Sequence, residues 1–154
     1  MSIITLKEIT NNNFIPVIKL SKTLSETQKK CVASNELSLA QAYLNQTLAW
    51  PRAIYLDDVP IGFVMLNIKP TNIPEDDQPA IDVWRLMIGG KFQSKGYGKQ
   101  VLDIILQKAR DEKKKTVYLS CDMKDEMPYQ FYIKYGFIDT GIMDEDEEIL
   151  KIYL

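Results

Sequence analysis

The sequence contains no histidine. This absence excludes Ser-His-Asp and Cys-His catalytic sets, zinc sites built on histidine and an imidazole general base. The two cysteines, Cys31 and Cys121, lie far apart and lack a CxxC spacing, so neither a disulfide framework nor a metal site is expected. Any proton transfer must therefore use a carboxylate, tyrosine, lysine, cysteine or water.

Positive charge and long apolar runs are also scarce. The formal net charge is −2, which gives no positive field for a nucleic-acid backbone, so nucleic acid is not an expected partner. No stretch approaches the roughly 18 apolar residues of a membrane-spanning helix, and residues 1–8 do not form a signal peptide. The sequence therefore predicts a cytoplasmic protein with no membrane partner. Its 154 residues predict one domain over 1–154.

The hydrophobic pattern predicts alternating strands and helices. Runs of strand character cover 3–9, 53–56, 61–68, 81–88 and 116–121, and a terminal hairpin joins 137–139 to 148–153 across an acidic turn. Predicted helices run from a cap within 10–13 to residue 20, over 37–48 until Trp50-Pro51, from the glycine-rich turn to about 112, and over 128–135. The nearly continuous apolar run 81–88 is typical of a central strand.

A glycine-rich turn, Gln93-Ser94-Lys95-Gly96-Tyr97-Gly98, joins this central strand to an amphipathic helix. Glycines let the backbone approach a ligand closely, and a helix N-terminus offers unpaired N–H groups and a positive dipole end. The turn therefore predicts an anion site suited to a pyrophosphate. The alternative interpretation is a tight structural bend without a ligand. The spacing fits neither a Walker A loop nor the dinucleotide fingerprint.

The mid-chain QxxGxG spacing and the later run Phe131-Tyr132-Ile133-Lys134-Tyr135-Gly136-Phe137 together resemble the GCN5-related N-acetyltransferase (GNAT) superfamily. The resemblance implies an α+β fold with three α/β/α layers and a mixed, mostly antiparallel sheet of about seven strands, splayed at an acetyl-CoA site. It implies a turn that binds the CoA pyrophosphate and a strand that pairs with the pantetheine arm. The implied cofactor-binding residues are Leu86, Met87, Ile88, Gln93, Ser94, Lys95, Gly96, Tyr97, Gly98, Lys99, Asp125, Pro128, Tyr132 and Lys134.

The resemblance also implies a general acid at Tyr132. A phenol with a pKa of about 10 stays neutral at pH 7 and can donate a hydrogen bond or proton to a departing thiolate. The alternative interpretation is aromatic core packing. At position 125, many relatives carry Asn where this chain has Asp125, and an ionised carboxylate accepts hydrogen bonds but cannot donate them.

An amine acceptor must lose a proton before it attacks a thioester, because an aliphatic amine is almost wholly protonated at pH 7. Asp82, on the predicted central strand, is the candidate base, acting directly or through water. The loop carboxylates Glu75, Asp76 and Asp77 are candidate substrate-binding residues. The alternative interpretations are an edge charge for Asp82 and a solvated loop for the other three.

Acidic runs at 75–77 and 144–148 indicate a cationic acceptor. Residues 34–42 and the strand Trp84-Arg85-Leu86-Met87-Ile88 resemble the bacterial spermine/spermidine acetyltransferase branch of the family, which implies a polyamine acceptor and a homodimer. Two alternatives stay open. One is transfer to another amine, such as an amino acid, an aminoglycoside or a protein N-terminus, and the other is a non-catalytic CoA sensor.

Overall fold

A computed structural model describes residues 2–154, apart from the side chain of residue 126. One sheet of seven strands has the order β1-β2-β3-β4-β5-β7-β6. Only the β4–β5 pair is parallel among these neighbours. The predicted mixed, mostly antiparallel sheet of an α+β fold is therefore confirmed. The strands are β1 Ile4–Lys7, β2 Ala49–Leu56, β3 Val59–Asn67, β4 Ala80–Ile88, β5 Thr116–Asp122, β6 Ile138–Asp144 and β7 Glu147–Tyr153.

Helices cover both faces of the sheet, which gives three layers. They are α1 Phe14–Lys19, α2 Glu26–Cys31, α3 Asn35–Leu44, α4 Tyr97–Asp111 and α5 Glu126–Tyr135. The α1–α3 face packs Val17 and Ala42 against Phe63 and Met65. The opposite α4–α5 face packs α4 and α5 against strands β4, β5 and β7. No helix within the described residues is long and apolar enough to cross a membrane.

Helix α4 holds the glycine-rich turn in place through a continuous apolar stripe. Its buried residues recur at helical spacing and are Val101, Leu102, Ile105, Leu106 and Ala109. Full burial of each Val, Leu or Ile side chain contributes about 1.5–3 kcal/mol. The start of α4 is therefore fixed against the sheet.

Strand β4 contains an irregularity that decides where the site lies. Met65 of β3 opposes Arg85 and Leu66 opposes Val83, so Trp84 is an extra residue, as in a β-bulge. After the bulge, Leu86 packs on the same face as Val83. A bulge increases the local twist of a strand. This bulge lies directly after Val83, where the pairing of β4 with β5 stops.

Helix α3 and strand β2 differ from the prediction. The helix predicted over 37–48 begins at Asn35, where Ser34 caps the Leu37 N–H, and ends at Leu44, and β2 then runs through Trp50 and Pro51. Pro51 is compatible with a strand because β1 pairs with β2 only from Ala53 onward, so no neighbour on that side needs the missing N–H.

The remaining differences are local. Asn13 precedes α1 as predicted, yet its side chain bonds backward, to the Thr10 N–H and the Glu8 carbonyl, and does not cap the helix. Helix α2 was not predicted, because residues 26–31 are almost wholly polar; a capping box between Ser25 and Gln28 begins it. The final acidic turn is only residues 145–146, and the acids on either side lie in β6 and β7.

Candidate active site

The sheet opens between two central strands. Strand β4 pairs with β5 from Ala80 to Val83, opposite Thr116 to Leu119, and the pairing then stops although both strands continue. Backbone groups of residues 84–88 that point away from β3 therefore have no strand partner. Leu86, Met87 and Ile88, the three predicted strand residues of the cofactor site, lie in this part of β4, which we call the open end.

The glycine-rich turn begins α4 beside the open end. Ser94 (φ 61°) and Gly96 (φ 85°) both have left-handed backbone, and Gly96 is the residue that precedes the helix. Among the described residues, no backbone acceptor binds the N–H groups of residues 94–99, whereas the Gln100 N–H bonds to the Gly96 carbonyl. Such a concave set of N–H groups at a helix N-terminus is typical of an anion site.

The two glycines of the turn have different roles. A Cβ on Gly96 would meet nothing within 4 Å, so the space above it is open. A Cβ on Gly98 would lie 3.3 Å from Phe131 Cζ. Gly98 therefore allows α4 and α5 to pack closely. The side chain of a bulky residue at this position would contact Phe131 and push α5 away.

The turn is tied to the α1–α3 side. The Gln93 Nε2 atom donates to the Ile88 carbonyl at 2.9 Å, and Gln28 of α2 donates to Gln93 Oε1 at 3.0 Å. Gly90 approaches so closely that its N–H donates to Thr23 Oγ1 at 2.8 Å. Helix α2, absent from the sequence prediction, thus contacts the predicted cofactor turn.

A groove of about 560 Å³ separates α4 and α5 next to the turn. Its lining combines cations with aromatic rings, and includes Lys99, Arg110, Phe131, Lys134 and Tyr135. Lys99 forms an ion pair with Asp103 at 3.2 Å. The structure therefore brings the predicted residues Lys99 and Lys134 to one groove, which suits a flat ring and phosphate groups.

Tyr132 is buried in the core of the α4–α5 face. Its ring contacts those of Phe131 and Phe137, with centroids 5.2 and 5.8 Å away. Burial raises the pKa of Tyr132 above its ordinary value, and the nearby Cys121 of β5 adds to the shift. The structure shows the aromatic core packing of the alternative interpretation, and the role of general acid stays a prediction.

Asp82 and Arg85 lie on β4 on either side of the bulge. Burial, and then the like charge of Glu147 on β7, raise the pKa of Asp82 to about 7, against an opposing effect of Arg85. Within the described residues, no hydrogen bond or ion pair reaches the Asp82 carboxylate. Arg85 is held by the Gln41 side chain and the Trp84 carbonyl, both at 3.0 Å, while its Nε is buried without a partner.

The predicted loop carboxylates lie at the other end of β4, where β4 and β5 are paired. Asp77 is buried and its carboxylate accepts from the Tyr118 hydroxyl and from Lys151 Nζ. The Tyr118 and Lys151 hydrogen bonds lower the pKa of Asp77. Glu75 and Asp76 are exposed on the short helical turn before it. The structure thus separates Glu75, Asp76 and Asp77 from the open end.

The last two predicted cofactor residues begin α5. Asp125 precedes the helix and its Oδ1 accepts from the Met127 N–H at 3.0 Å, so its carboxylate serves as an N-cap. Pro128 lies in the first turn, where proline is tolerated. The capping bond gives a local reason for an aspartate at this position.

The fold and the splayed strands define an N-acetyltransferase type of α+β protein, and comparison with known proteins agrees. The chain matches the Acetyltransferase (GNAT) family over residues 21–137, most of its length. It therefore belongs to the GNAT acetyltransferase family.

Individual relatives are distant. The spermine/spermidine N(1)-acetyltransferase of Bacillus subtilis (strain 168) is 25% identical over 150 residues, which are 97% of each chain. The PaiA N-acetyltransferase from Thermoplasma acidophilum in complex with coenzyme A superposes with a TM-score of 0.69 at 18% identity, over 99% of both chains. An acetyltransferase from Thermus thermophilus reaches a TM-score of 0.76 at 15% identity, over 98% of this chain and 97% of the other. The structural similarity supports the fold.

Proposed function

We propose that the protein transfers the acetyl group of acetyl-CoA directly to a primary amine of a polyamine. The observation that carries the proposal is the open end of β4, a strand without a partner on one side, with two features beside it. These are a helix N-terminus with unpaired N–H groups, and the unpartnered carboxylate of Asp82 just before the pairing with β5 stops. Family membership gives the type of reaction. A single domain over 1–154, a cytoplasmic location and a homodimer stay predictions from the sequence.

The residues of the open end fit acetyl-CoA. The N–H groups of Ser94 through Lys99 would hold the pyrophosphate, and the outward backbone groups of Leu86 and the N–H of Ile88 would pair with the pantetheine amides. The backbone of Met87 between them faces β3, and the Ile88 carbonyl is held by Gln93. Lys99 and Lys134 would bind phosphate in the α4–α5 groove, with Phe131 and Tyr135 beside the adenine ring. Bound acetyl-CoA supplies the thioester that the amine attacks.

Asp82 is the base in this proposal. A carboxylate with a pKa of about 7 is ionised in half of the molecules at neutral pH and is a far stronger base than an ordinary aspartate. It accepts a proton from the ammonium of the acceptor, directly or through water, and so provides the neutral nucleophile. Its lack of a protein partner leaves both oxygens for the acceptor.

Tyr132 donates a hydrogen bond to the departing sulfur. Thiols have a pKa of about 8.5, and burial raises the pKa of Tyr132 above an ordinary phenol's value of about 10. The phenol is therefore a weaker acid than the thiol and keeps its proton. Its contribution is stabilisation of negative charge on the leaving thiolate. The thiolate then takes, through water, the second proton that the attacking nitrogen loses as the amide forms.

A polyamine acceptor has two supports. The first is the activity for which the Bacillus subtilis relative is named. The second is the acidic character of the surface beside the open end, where the charges of Asp82 and Glu147 both act on Arg85. An α-amino acid is the second candidate. The buried, unpartnered Nε of Arg85 is a suitable donor for the carboxylate of such an acceptor.

Acetyl-CoA-dependent thiol release against a panel of amines tests the proposal. The panel contains spermidine, spermine, α-amino acids, an aminoglycoside and a peptide with a free N-terminus. We expect the highest kcat/KM with a polyamine. A preference for an amino acid would show that the proposed acceptor is wrong and the proposed reaction is right. CoA binding without turnover of any amine would favour the sensor alternative.

A further inference from the structure

An uncovered strip of sheet lies on the α1–α3 face next to Asp82. Helices α1–α3 cover β2, β3 and part of β4, and loop 68–79 covers the beginning of β5 through Ile73 and Tyr118. Ser120, farther along β5, is exposed between these two covers. We call the strip formed by Asp82, Arg85, Ser120 and Glu147 the trough.

Glu147 belongs to the trough because of strand alternation. Leu150 and Ile152 of β7 pack on the α4–α5 face, so odd-numbered residues of this strand point to the other face. Lys151 agrees, since it reaches Asp77. The Glu147 Oε2 atom accepts from the Ser120 hydroxyl at 3.3 Å. Its neighbour Glu148 points to the opposite face, where it lies beside Asp139.

The charges of the trough do not balance. Arg85 is the cation that acts on both Asp82 and Glu147, and it is already held by Gln41 and the Trp84 carbonyl. In the part of the chain that the structure describes, neither acid forms an ion pair within 4.0 Å. A desolvated carboxylate without a partner is costly unless a cation joins it. Asp82 therefore points to a cationic ligand in the trough.

We infer that Glu147, with the Ser120 hydroxyl, forms a second ammonium subsite, which binds the nitrogen next along the acceptor from the amine that Asp82 deprotonates. The inference rests on the proposed polyamine acceptor and adds a residue that selects it. Asp82 lies opposite Tyr118 of β5 and Glu147 lies opposite Asp122, so their backbones are about 10 Å apart across the sheet, at two strand spacings, and about 13 Å apart along β5. The Glu147 side chain shortens this distance, because it reaches back along β5 to the Ser120 hydroxyl. A diamine with several methylenes between its nitrogens spans such a gap, and a monoamine cannot occupy both positions.

The test is the Glu147→Gln variant, assayed with spermidine and with n-butylamine at about pH 8.5, where Asp82 is ionised in every variant. Loss of one charge-assisted hydrogen bond should raise the KM for spermidine about tenfold and leave the KM for n-butylamine unchanged. The matched control is Glu148→Gln, which removes the same charge from the opposite face and should change neither KM. Ser120→Ala should raise the KM for spermidine less than Glu147→Gln does.

Three outcomes separate the inference from the function beneath it. A rise confined to spermidine in Glu147→Gln supports the subsite. Equal spermidine KM values in wild type, Glu147→Gln and Ser120→Ala, with polyamine turnover intact, overturn the subsite and leave the proposed function standing. Turnover of n-butylamine but not of polyamines by the wild type overturns both. If Glu147→Gln has a folding defect, seen as a lowered Tm, the KM of Ser120→Ala for spermidine decides instead.

Discussion

The two ends of the β4–β5 pair contrast sharply. At the closed end the strands are hydrogen-bonded from Ala80 to Val83, and Asp77 ties the preceding loop to Tyr118 and Lys151. At the open end the pairing has stopped, and the N–H groups of the turn have no protein partner among the described residues. The carboxylate of Asp82, one residue before the pairing stops, has no partner there either. One end satisfies its polar groups internally, and the other leaves them for ligands.

The two aspartates show what this difference does to chemistry. Hydrogen bonds from Tyr118 and Lys151 lower the pKa of Asp77, so this carboxylate is a fixed negative charge. Burial and the charge of Glu147 raise the pKa of Asp82 to about 7. The same side chain is thus a structural anchor in the loop before β4 and a candidate base next to the open end, because the partners differ.

The Asp82→Asn variant tests this contrast with the largest expected effect. Removal of a general base should lower kcat by about 10²- to 10³-fold. Because Asp82 must be ionised to act, wild-type kcat should rise with pH through about 7, and the variant should lack this rise. Initial rates between pH 5.5 and 9 measure both effects. Unchanged kcat in a folded variant would return Asp82 to the role of an edge charge.

The same variant should gain stability at high pH. The folded-state pKa of Asp82 exceeds its unfolded value of about 3.9, so its ionisation destabilises the fold progressively as pH rises from about 4 through 7. At pH 8 the penalty is roughly 4 kcal/mol, and Asp82→Asn should raise Tm by roughly 10 °C. At about pH 3.5 wild type and variant should unfold at similar temperatures. Equal Tm at pH 8 would show that the carboxylate is well solvated.

A matched pair of Tyr→Phe variants compares the two ends directly. Tyr132→Phe removes the hydrogen bond to the leaving sulfur and should lower kcat roughly tenfold with little change in Tm. Tyr118→Phe removes the bond to Asp77 and should lower Tm by about 4 °C while kcat stays the same. Thermal unfolding and steady-state rates decide. If Tyr132→Phe lowered only Tm and Tyr118→Phe lowered only kcat, the two ends would have the opposite roles.

The smallest effect is expected in the α4–α5 groove. Lys134→Gln should raise the KM for acetyl-CoA a few-fold, since an exposed ion pair contributes about 0.2–1 kcal/mol, and should leave the KM for the acceptor unchanged. Lys19→Gln, on α1 of the opposite face, is the control of equal charge. An effect that fell on the acceptor KM would place the cofactor elsewhere.

Sequence patterns were sufficient for the features that local chemistry determines. The apolar stripe of α4, the apolar run of β4 and the glycine-rich turn each report their structure over a few residues. The three-layer fold was implied by the family resemblance. Helix α2 was missed because its residues 26–31 lack an apolar stripe, and its start depends on the Ser25–Gln28 capping box. Pro51 was misread as a stop because its tolerance depends on where β1 ends.

The partners of the acidic residues could not be predicted. Asp77 was grouped with the substrate residues, and only the fold brings Lys151 and Tyr118 to it. Glu147 gave no signal of its own, since it lies inside an acidic run and its approach to Asp82 depends on the registers of β5 with both β4 and β7. Distances across several strands depend on which strands pair and in what register. The spacing of residues along the sequence does not give this information.

Hydrogen–deuterium exchange with saturating acetyl-CoA tests the central claim, that the open end of β4 holds the cofactor, most directly. Amides of residues 94–99, which lack protein acceptors, should exchange quickly in the free protein and slow markedly on binding, as should those of 85–88 that face away from β3. Amides of 80–83, already paired with β5, should not change. Protection confined to the closed end, or none at 94–99 despite measurable binding, would contradict the account.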